Sequence, residues 1–209
     1  SLQLPEDDYS QMSENLTRLI NICDSNDLIL VPDISPATFE HLGLNQGDFS
    51  ALKVLGLKAL RLDYGFDDWK LLERLQQDFI LFINASTVNS QYIHDAENHG
   101  LNLGKLHAAH NFYPKPETGL SRKYFMDLNS RLVDAGIKVL AFVPGDLLKR
   151  YPFYQGLPTL EFQRGQNPYV SAVQRINDFG VDDILCGDSK IRLSTLTMIN
   201  NYEKTRTMT

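Results

Sequence analysis

The sequence predicts an α/β fold of the (β/α)8 TIM-barrel type, and three observations carry that expectation. Six short apolar runs, at residues 28–31, 59–63, 79–83, 106–109, 138–143 and 183–186, alternate with helical segments. The runs lack clean polar alternation, as strands buried on both faces of a parallel sheet do. Nearly every run closes on a polar residue: Asp33, Asp63, Asn84, His110 with Asn111, Asp146 and Asp188. Strand C-termini share one edge in such a fold, and a barrel builds its active site there from the βα loops. A doubly wound sheet would place a ligand only at its switch point, and no glycine-rich phosphate fingerprint follows any run. Six runs in 209 residues fall short of eight strands and roughly 250 residues. One or two strands are therefore expected before Ser1, partly represented by Ser1 to Gln3.

Ser1 to Tyr9 reads as a strand end and a polar turn. Residues 11–26 have the spacing of an amphipathic helix, with Met12, Leu16, Leu19, Ile20 and Cys23 on one stripe. After the first run, Ser35-Pro36 supplies an N-cap followed by proline at the first helical position, and Gly43 can end that helix. Gly65 turns the chain from the second run into a helix over 67–77. A helix over 88–99 follows Asn84. Ser121 caps a helix that runs to Gly136, a good residue just past a helix end. Beyond Pro144-Gly145-Asp146 lies a long segment, 147–167, of the kind that serves as a lid or binding element. Helices are expected over 168–179, closed by Gly180, and around 193–202. Residues 1–190 then form the barrel domain, N-terminally incomplete, and 191–209 a C-terminal helix or tail.

Composition narrows the partners. Hydrophobic residues make up 43% and charged residues 22%, enough for one domain with a sizeable core. A net charge of −6 argues against a general nucleic-acid partner, which needs a basic face. A small anionic ligand needs only a few local Arg or Lys residues. Cys23 and Cys186 are the two cysteines and lie far apart, which fits a reducing compartment. No stretch approaches the roughly 20 apolar residues of a membrane span, and no signal peptide is visible.

The densest chemistry lies in His110-Asn111-Phe112-Tyr113-Pro114-Lys115-Pro116-Glu117-Thr118-Gly119-Leu120-Ser121. Two prolines cut the entropy of ordering this loop, so it can hold polar groups still, as a binding loop must. Arg61 and Asp63 share a strand face, with Arg61 one layer lower, where it must meet a carboxylate or an anionic ligand. Glu161 and Arg164 sit in the long segment. Glycoside hydrolysis needs two carboxyl groups across the scissile bond, and Asp33, Asp63, Glu117 and Glu161 are available. A metal site is the weaker reading. His107 and His110 are three apart on a strand and point to opposite faces, while His41, His94 and His99 lie in helical or helix-end segments. Cys23 is on an apolar stripe and Cys186 reads as core. Lys105 and Lys138 stand at strand starts, so no Schiff-base lysine is expected. Phe112, Tyr113, Tyr151, Phe153 and Tyr154 read equally as loop packing and as surfaces on which sugar rings stack.

The loop from His110 to Ser121 resembles the signature loop of the MupG-type 6-phospho-N-acetylmuramidases, bacterial TIM-barrel proteins. Pro32-Asp33-Ile34-Ser35, Arg61-Leu62-Asp63-Tyr64-Gly65, Asn84-Ala85-Ser86, Gly156-Leu157-Pro158-Thr159-Leu160-Glu161 and Gly187-Asp188 are similar in the same order. Ser1-Leu2-Gln3-Leu4-Pro5-Glu6-Asp7 resembles the end of the family's second strand. The resemblance implies that the first strand and helix precede Ser1, and that the family's cyclophilin-like C-terminal domain is not visible here. It also implies a cytoplasmic glycosidase that cleaves N-acetylmuramic acid 6-phosphate from N-acetylglucosamine during cell-wall recycling; from the residues themselves, no cofactor or metal is expected. Position at the expected barrel mouth marks Asp33, Asp63 and Glu161 as candidate catalytic groups. Arg61, Asn84, His110, Asn111, Tyr113, Glu117 and Arg164 are the candidate substrate contacts. The alternative is a barrel that binds a sugar phosphate without turning it over.

Overall fold

The computed structural model describes residues 11–207, so the strand end expected at Ser1 to Tyr9 lies outside them. Six strands are seen: β1 (Asp33–Ile34), β2 (Ala59–Leu62), β3 (Ile80–Asn84), β4 (Leu106–Ala109), β5 (Lys138–Val143) and β6 (Asp183–Cys186). They form one sheet in chain order, β1 to β6, and the pairs β1/β2, β2/β3 and β5/β6 are parallel. Every strand is followed by at least one helix. This is the α/β order of a (β/α) barrel, where each strand pairs with the next, and not the interrupted order of a doubly wound sheet.

Contacts divide the chain into two compact units, the first holding residues up to Asn84 with Gln91–His107, the second Ala85–Ser90 with Ala108 onward. In the first unit, α1 (Met12–Asp24) buries Met12, Leu16 and Ile20 and leaves Leu19 exposed. The first apolar run does not become the strand. Leu28 and Ile29 are 59% and 53% exposed, and pairing begins at the Pro32 carbonyl, which accepts from Arg61 N–H at 2.9 Å. The Leu28 N–H is already spent on the Cys23 carbonyl at the end of α1, which delays the extended stretch. In α2 (Pro36–His41) the Ser35 N–H donates to Thr38 Oγ1 at 3.0 Å, with Pro36 opening the helix. The pattern of apolar residues gave no sign of α3 (Phe49–Val54), whose signal is the Asp48 carboxylate accepting from Ala51 N–H. Phe39 and Phe49 meet edge to face at 5.1 Å beneath α2 and α3. The helices α4 (Trp69–Asp78) and α5 (Ser90–Asn98) follow β2 and β3. Trp69 packs on Tyr92 and stacks on His99.

In the second unit, α6 (Arg122–Asp134) is capped by the Ser121 hydroxyl, which accepts from Tyr124 N–H. It buries Phe125, Leu128, Asn129 and Leu132, one helical stripe. On α7 (Pro168–Asp178) the same spacing buries Pro168, Ser171, Ala172 and Arg175. Helix α8 (Leu193–Thr205) brings Ile199 against Val143 and Ala172. The long segment expected as a lid or binding element is partly core. Leu157, Thr159, Leu160 and Gln163 are buried, and only residues 147–155 are mostly exposed. The reason is hydrogen bonding. Thr159 N–H donates to Phe142 O on β5, and Leu120 and Tyr113 N–H donate to Thr159 O and Pro158 O. Residues 158–161 thereby act as an extra strand-like strap.

Candidate active site

Asp33 opens the two-residue β1 and stands in register with Arg61 on β2, and Arg61 Nη1 donates to Asp33 Oδ1 at 2.8 Å. The pair is partly buried, with side chains 20% (Arg61) and 31% (Asp33) exposed. Arg61 therefore holds a carboxylate, one of the two roles its place in the strand allowed. Asp63 lies two residues past Arg61, just beyond β2, and its N–H donates to Ile34 O. Gly65 then makes the turn toward α4: its φ is +81°, and an added Cβ would meet Pro36 Cγ at 2.7 Å. Asn84 is the last residue of β3 and is half-buried. In the first unit Asp33 and Arg61 are thus paired on β1 and β2, and Asp63 and Asn84 stand at the C-terminal ends of β2 and β3.

The second unit holds the loop that carries most of the polar residues. Its backbone is fixed from the strap. Glu161 accepts from Glu117 N–H at 2.9 Å and from Gly119 N–H at 2.8 Å. Its two oxygens also accept from Arg164 Nε and Nη2, each at 2.6 Å. Arg164 donates further to the carbonyls of Tyr113, Gly156 and Lys115 at 2.7–3.1 Å. Two of the candidate residues thus meet in one clamp. Arg164, a candidate phosphate contact, has its N–H groups engaged by carbonyls and Glu161, so its guanidinium clamps the loop. Glu161 is held down to about 2, first by the Arg164 hydrogen bonds and then by the two backbone N–H donors, against the opposing pull of burial. A carboxyl so held cannot donate a proton near neutrality, and its lone pairs are occupied. It positions the loop. A Cβ on Gly119 would stand 2.6 Å from Glu161 Oε2, so the close approach needs glycine.

His110 opens the loop from a buried position. Only 1% exposed, it packs on Phe125 at 4.4 Å with Nε2 at 2.9 Å from Asn129 Oδ1. Asn129 uses its amide N–H groups on the carbonyls of Phe179 and Gly180, so its oxygen faces the histidine and Nε2 carries the proton. Burial pushes His110 down to about 4, with the nearby Arg175 charge acting in the same direction. Its side chain joins β4 to α6 and cannot reach a ligand. Past it, Asn111 and Tyr113 are half-buried and Glu117 is exposed, with a left-handed φ of +67°. Burial pushes the Tyr113 phenol up. Among the described residues the Glu117 carboxylate has no ion-pair or hydrogen-bond partner.

Sequence reasoning missed what Asp188 does. The side chain is fully buried beyond β6 and accepts from the N–H groups of Gly145, Arg150 and Leu157 at 2.8, 2.9 and 3.3 Å. Lys149 Nζ lies 3.6 Å away. Its only signal was a polar residue at a strand end. Cys186, whose thiol burial pushes up, donates to the Asp188 carbonyl at 3.5 Å. Among the described residues no three His, Cys, Asp or Glu side chains are arranged to hold a metal ion. No helix among them is long and apolar enough to cross a membrane. A solvent-open groove along α1, lined by Ser13, Thr17, Arg18 and Asn21, contains none of the candidate residues.

The chain is similar to a conserved protein of unknown function from Enterococcus faecalis, with 32% identity and a TM-score of 0.83 over 95% of this chain and 56% of that one. It is also similar to an uncharacterized B. cereus protein, with 26% identity and a TM-score of 0.75 over 90% and 53%. The chain thus spans about half the length of these solved structures. No curated protein matches it. The model of the family described as 6-phospho-N-acetylmuramidase, N-terminal, matches residues 1–201. With the strand-end carboxylates and the clamped loop in place, this match identifies the chain as a member of the MupG-type 6-phospho-N-acetylmuramidase family, corresponding to its N-terminal part.

Proposed function

We propose that this chain carries the glycosidase chemistry that cleaves N-acetylmuramic acid 6-phosphate from N-acetylglucosamine in bacterial cell-wall recycling. The observation that carries the reading is the Asp33–Arg61 pair at 2.8 Å with Asp63 two residues beyond Arg61. With Glu161 withdrawn into the clamp, Asp33 and Asp63 are the carboxylates left from the catalytic set. Asp33, already facing a guanidinium, takes the role of base or nucleophile. Asp63 protonates the leaving oxygen. Asn84 and Arg61 orient the sugar from the first unit. A phosphorylated disaccharide is a cytoplasmic metabolite, and the free thiols of Cys23 and Cys186 suit that compartment.

Incubating the full-length protein with the phosphorylated disaccharide and with its unphosphorylated form tests the reading. Cleavage with a preference for the phosphorylated form is expected. Asp33→Asn and Asp63→Asn should each lower kcat by roughly 10²–10⁴ without a matching loss in thermal stability. Wild-type levels of cleavage in both variants would remove these carboxylates from the mechanism. A ligand-dependent rise in melting temperature without any cleavage would instead favour the sugar-phosphate-binding alternative.

A further inference from the structure

Resting on that reading, we infer that His107 is a positioning residue for the reaction: its ring holds Phe82, and Phe82 holds the Arg61 guanidinium against Asp33. The four residues belong to the first unit and form one row. Asp33 pairs in register with Arg61, and Arg61 with Phe82. The Phe82 and His107 rings stack, with centroids 4.8 Å apart and planes 27° from parallel. All four residues are half-buried, while the alternate residues Ile34, Leu60, Leu62, Leu81 and Ile83 are buried on the opposite face. In a (β/α) barrel the helices cover that opposite face, so the row looks inward. Asp63 and Asn84 follow Arg61 and Phe82 by two residues, and the Asp63 N–H continues the pairing with β1 at Ile34 O. They stand one layer nearer the strand C-termini. The row is the floor beneath the groups assigned to the sugar.

A long arginine side chain keeps one geometry only when something packs on it. On one side of Arg61 the Asp33 carboxylate takes Nη1 at 2.8 Å. On the other, its neighbour in register is Phe82, about 4.8 Å away across the sheet, and an aromatic ring suits a guanidinium. Phe82 in turn needs support from beyond β3. Ile80, two residues below it, lines a recess with Lys58, Lys105 and His107 that opens where these strands begin, so packing from below is incomplete. The support comes from the side, where the His107 ring on β4 fixes the tilt of Phe82.

Replacing the ring tests this on both turnover and the guanidinium. His107→Ala, His107→Gln and His107→Phe are assayed in the full-length protein on the phosphorylated disaccharide, with circular dichroism as the folding control. His107→Ala is expected to lower kcat roughly 10–100-fold with KM little changed, the mark of a misplaced reacting group. His107→Phe should recover most of that loss and His107→Gln should not, because a ring and not a polar atom is required. Recovery by glutamine but not by phenylalanine, or wild-type kcat in His107→Ala, overturns the inference and leaves the proposed function standing. Arg61 is followed separately by NMR of its guanidinium nitrogens, assigned by loss of the signals in Arg61→Lys. Separate Nη1 and Nη2 signals are expected in wild type and His107→Phe, and one averaged signal in His107→Ala. If wild type does not cleave, the function fails while this measurement still decides His107: the same guanidinium signals in wild type and His107→Ala overturn it. Should His107→Ala not fold, Phe82→Leu carries the same two readouts, and wild-type behaviour in that variant overturns the inference as well.

Discussion

A carboxylate that accepts from two backbone amides and from both N–H groups along one edge of a guanidinium has its four lone pairs occupied. Glu161, in the long segment after β5, is in that position. Replacing it with glutamine keeps the shape but removes the charge, and leaves the mostly buried Arg164 guanidinium without its counter-ion. Glu161→Gln is expected to cost roughly 1–3 kcal/mol, read as a lower melting temperature, and to speed hydrogen exchange at the Glu117 and Gly119 amides. A catalytic role would instead show as lost turnover with exchange unaltered. Arg175 is a different case of a confined charge. Its Nε donates to Gln163 Oε1 at 2.6 Å, while Nη1 and Nη2 are buried without protein partners. Burial lowers it to about 9, and the Phe125 ring 6.0 Å away offers only a weak compensation.

Two segments without regular secondary structure decide the shape of the second unit. The strap at 158–161 fills hydrogen-bonding positions between β5 and the loop that ends at Ser121, which is why its apolar residues are buried. Asp188 performs the equivalent service for residues 145–157, gathering three N–H donors around one buried carboxylate. Removing it by Asp188→Ala orphans those donors and the nearby Lys149. A loss of about 3–5 kcal/mol is expected, together with new protease cleavage within residues 147–155. An unchanged digestion pattern would show that the loop is held by something else.

Acid should destabilise the molecule in two successive windows. For His110 the folded value, about 4, lies below the ordinary 6.5, so the unfolded chain takes up the proton first. Its contribution is complete above about pH 6.5 and is lost as pH falls toward 4, at most about 3 kcal/mol in all. For Glu161 the folded value, about 2, lies below 4.5, so its stabilisation is present above about pH 4.5 and disappears as pH falls toward 2. Chemical denaturation at stepped pH checks both, and His110→Gln should flatten the upper window while leaving the lower one. Both groups lie in the second unit. The boundary between the units passes through β4, between His107 and Ala108.

Periodicity and strand-end polarity determined much of this protein by themselves. The strands at 106–109, 138–143 and 183–186 agree with β4, β5 and β6, because apolar runs bounded by turn residues have few alternatives. The residue order of the loop from His110 to Ser121 was enough to suggest the family. Local sequence could not place β1, because whether residues 28–31 or 33–34 pair with β2 depends on where the partner strand's N–H groups fall. Nor could it distinguish a reactive acid from a clamped one. Asp33 and Glu161 look alike in a sequence, and they part only when donors more than 40 residues away arrive at Glu161. Hydrogen-bond supply is a property of the folded chain, and it decided that Glu161 is clamped.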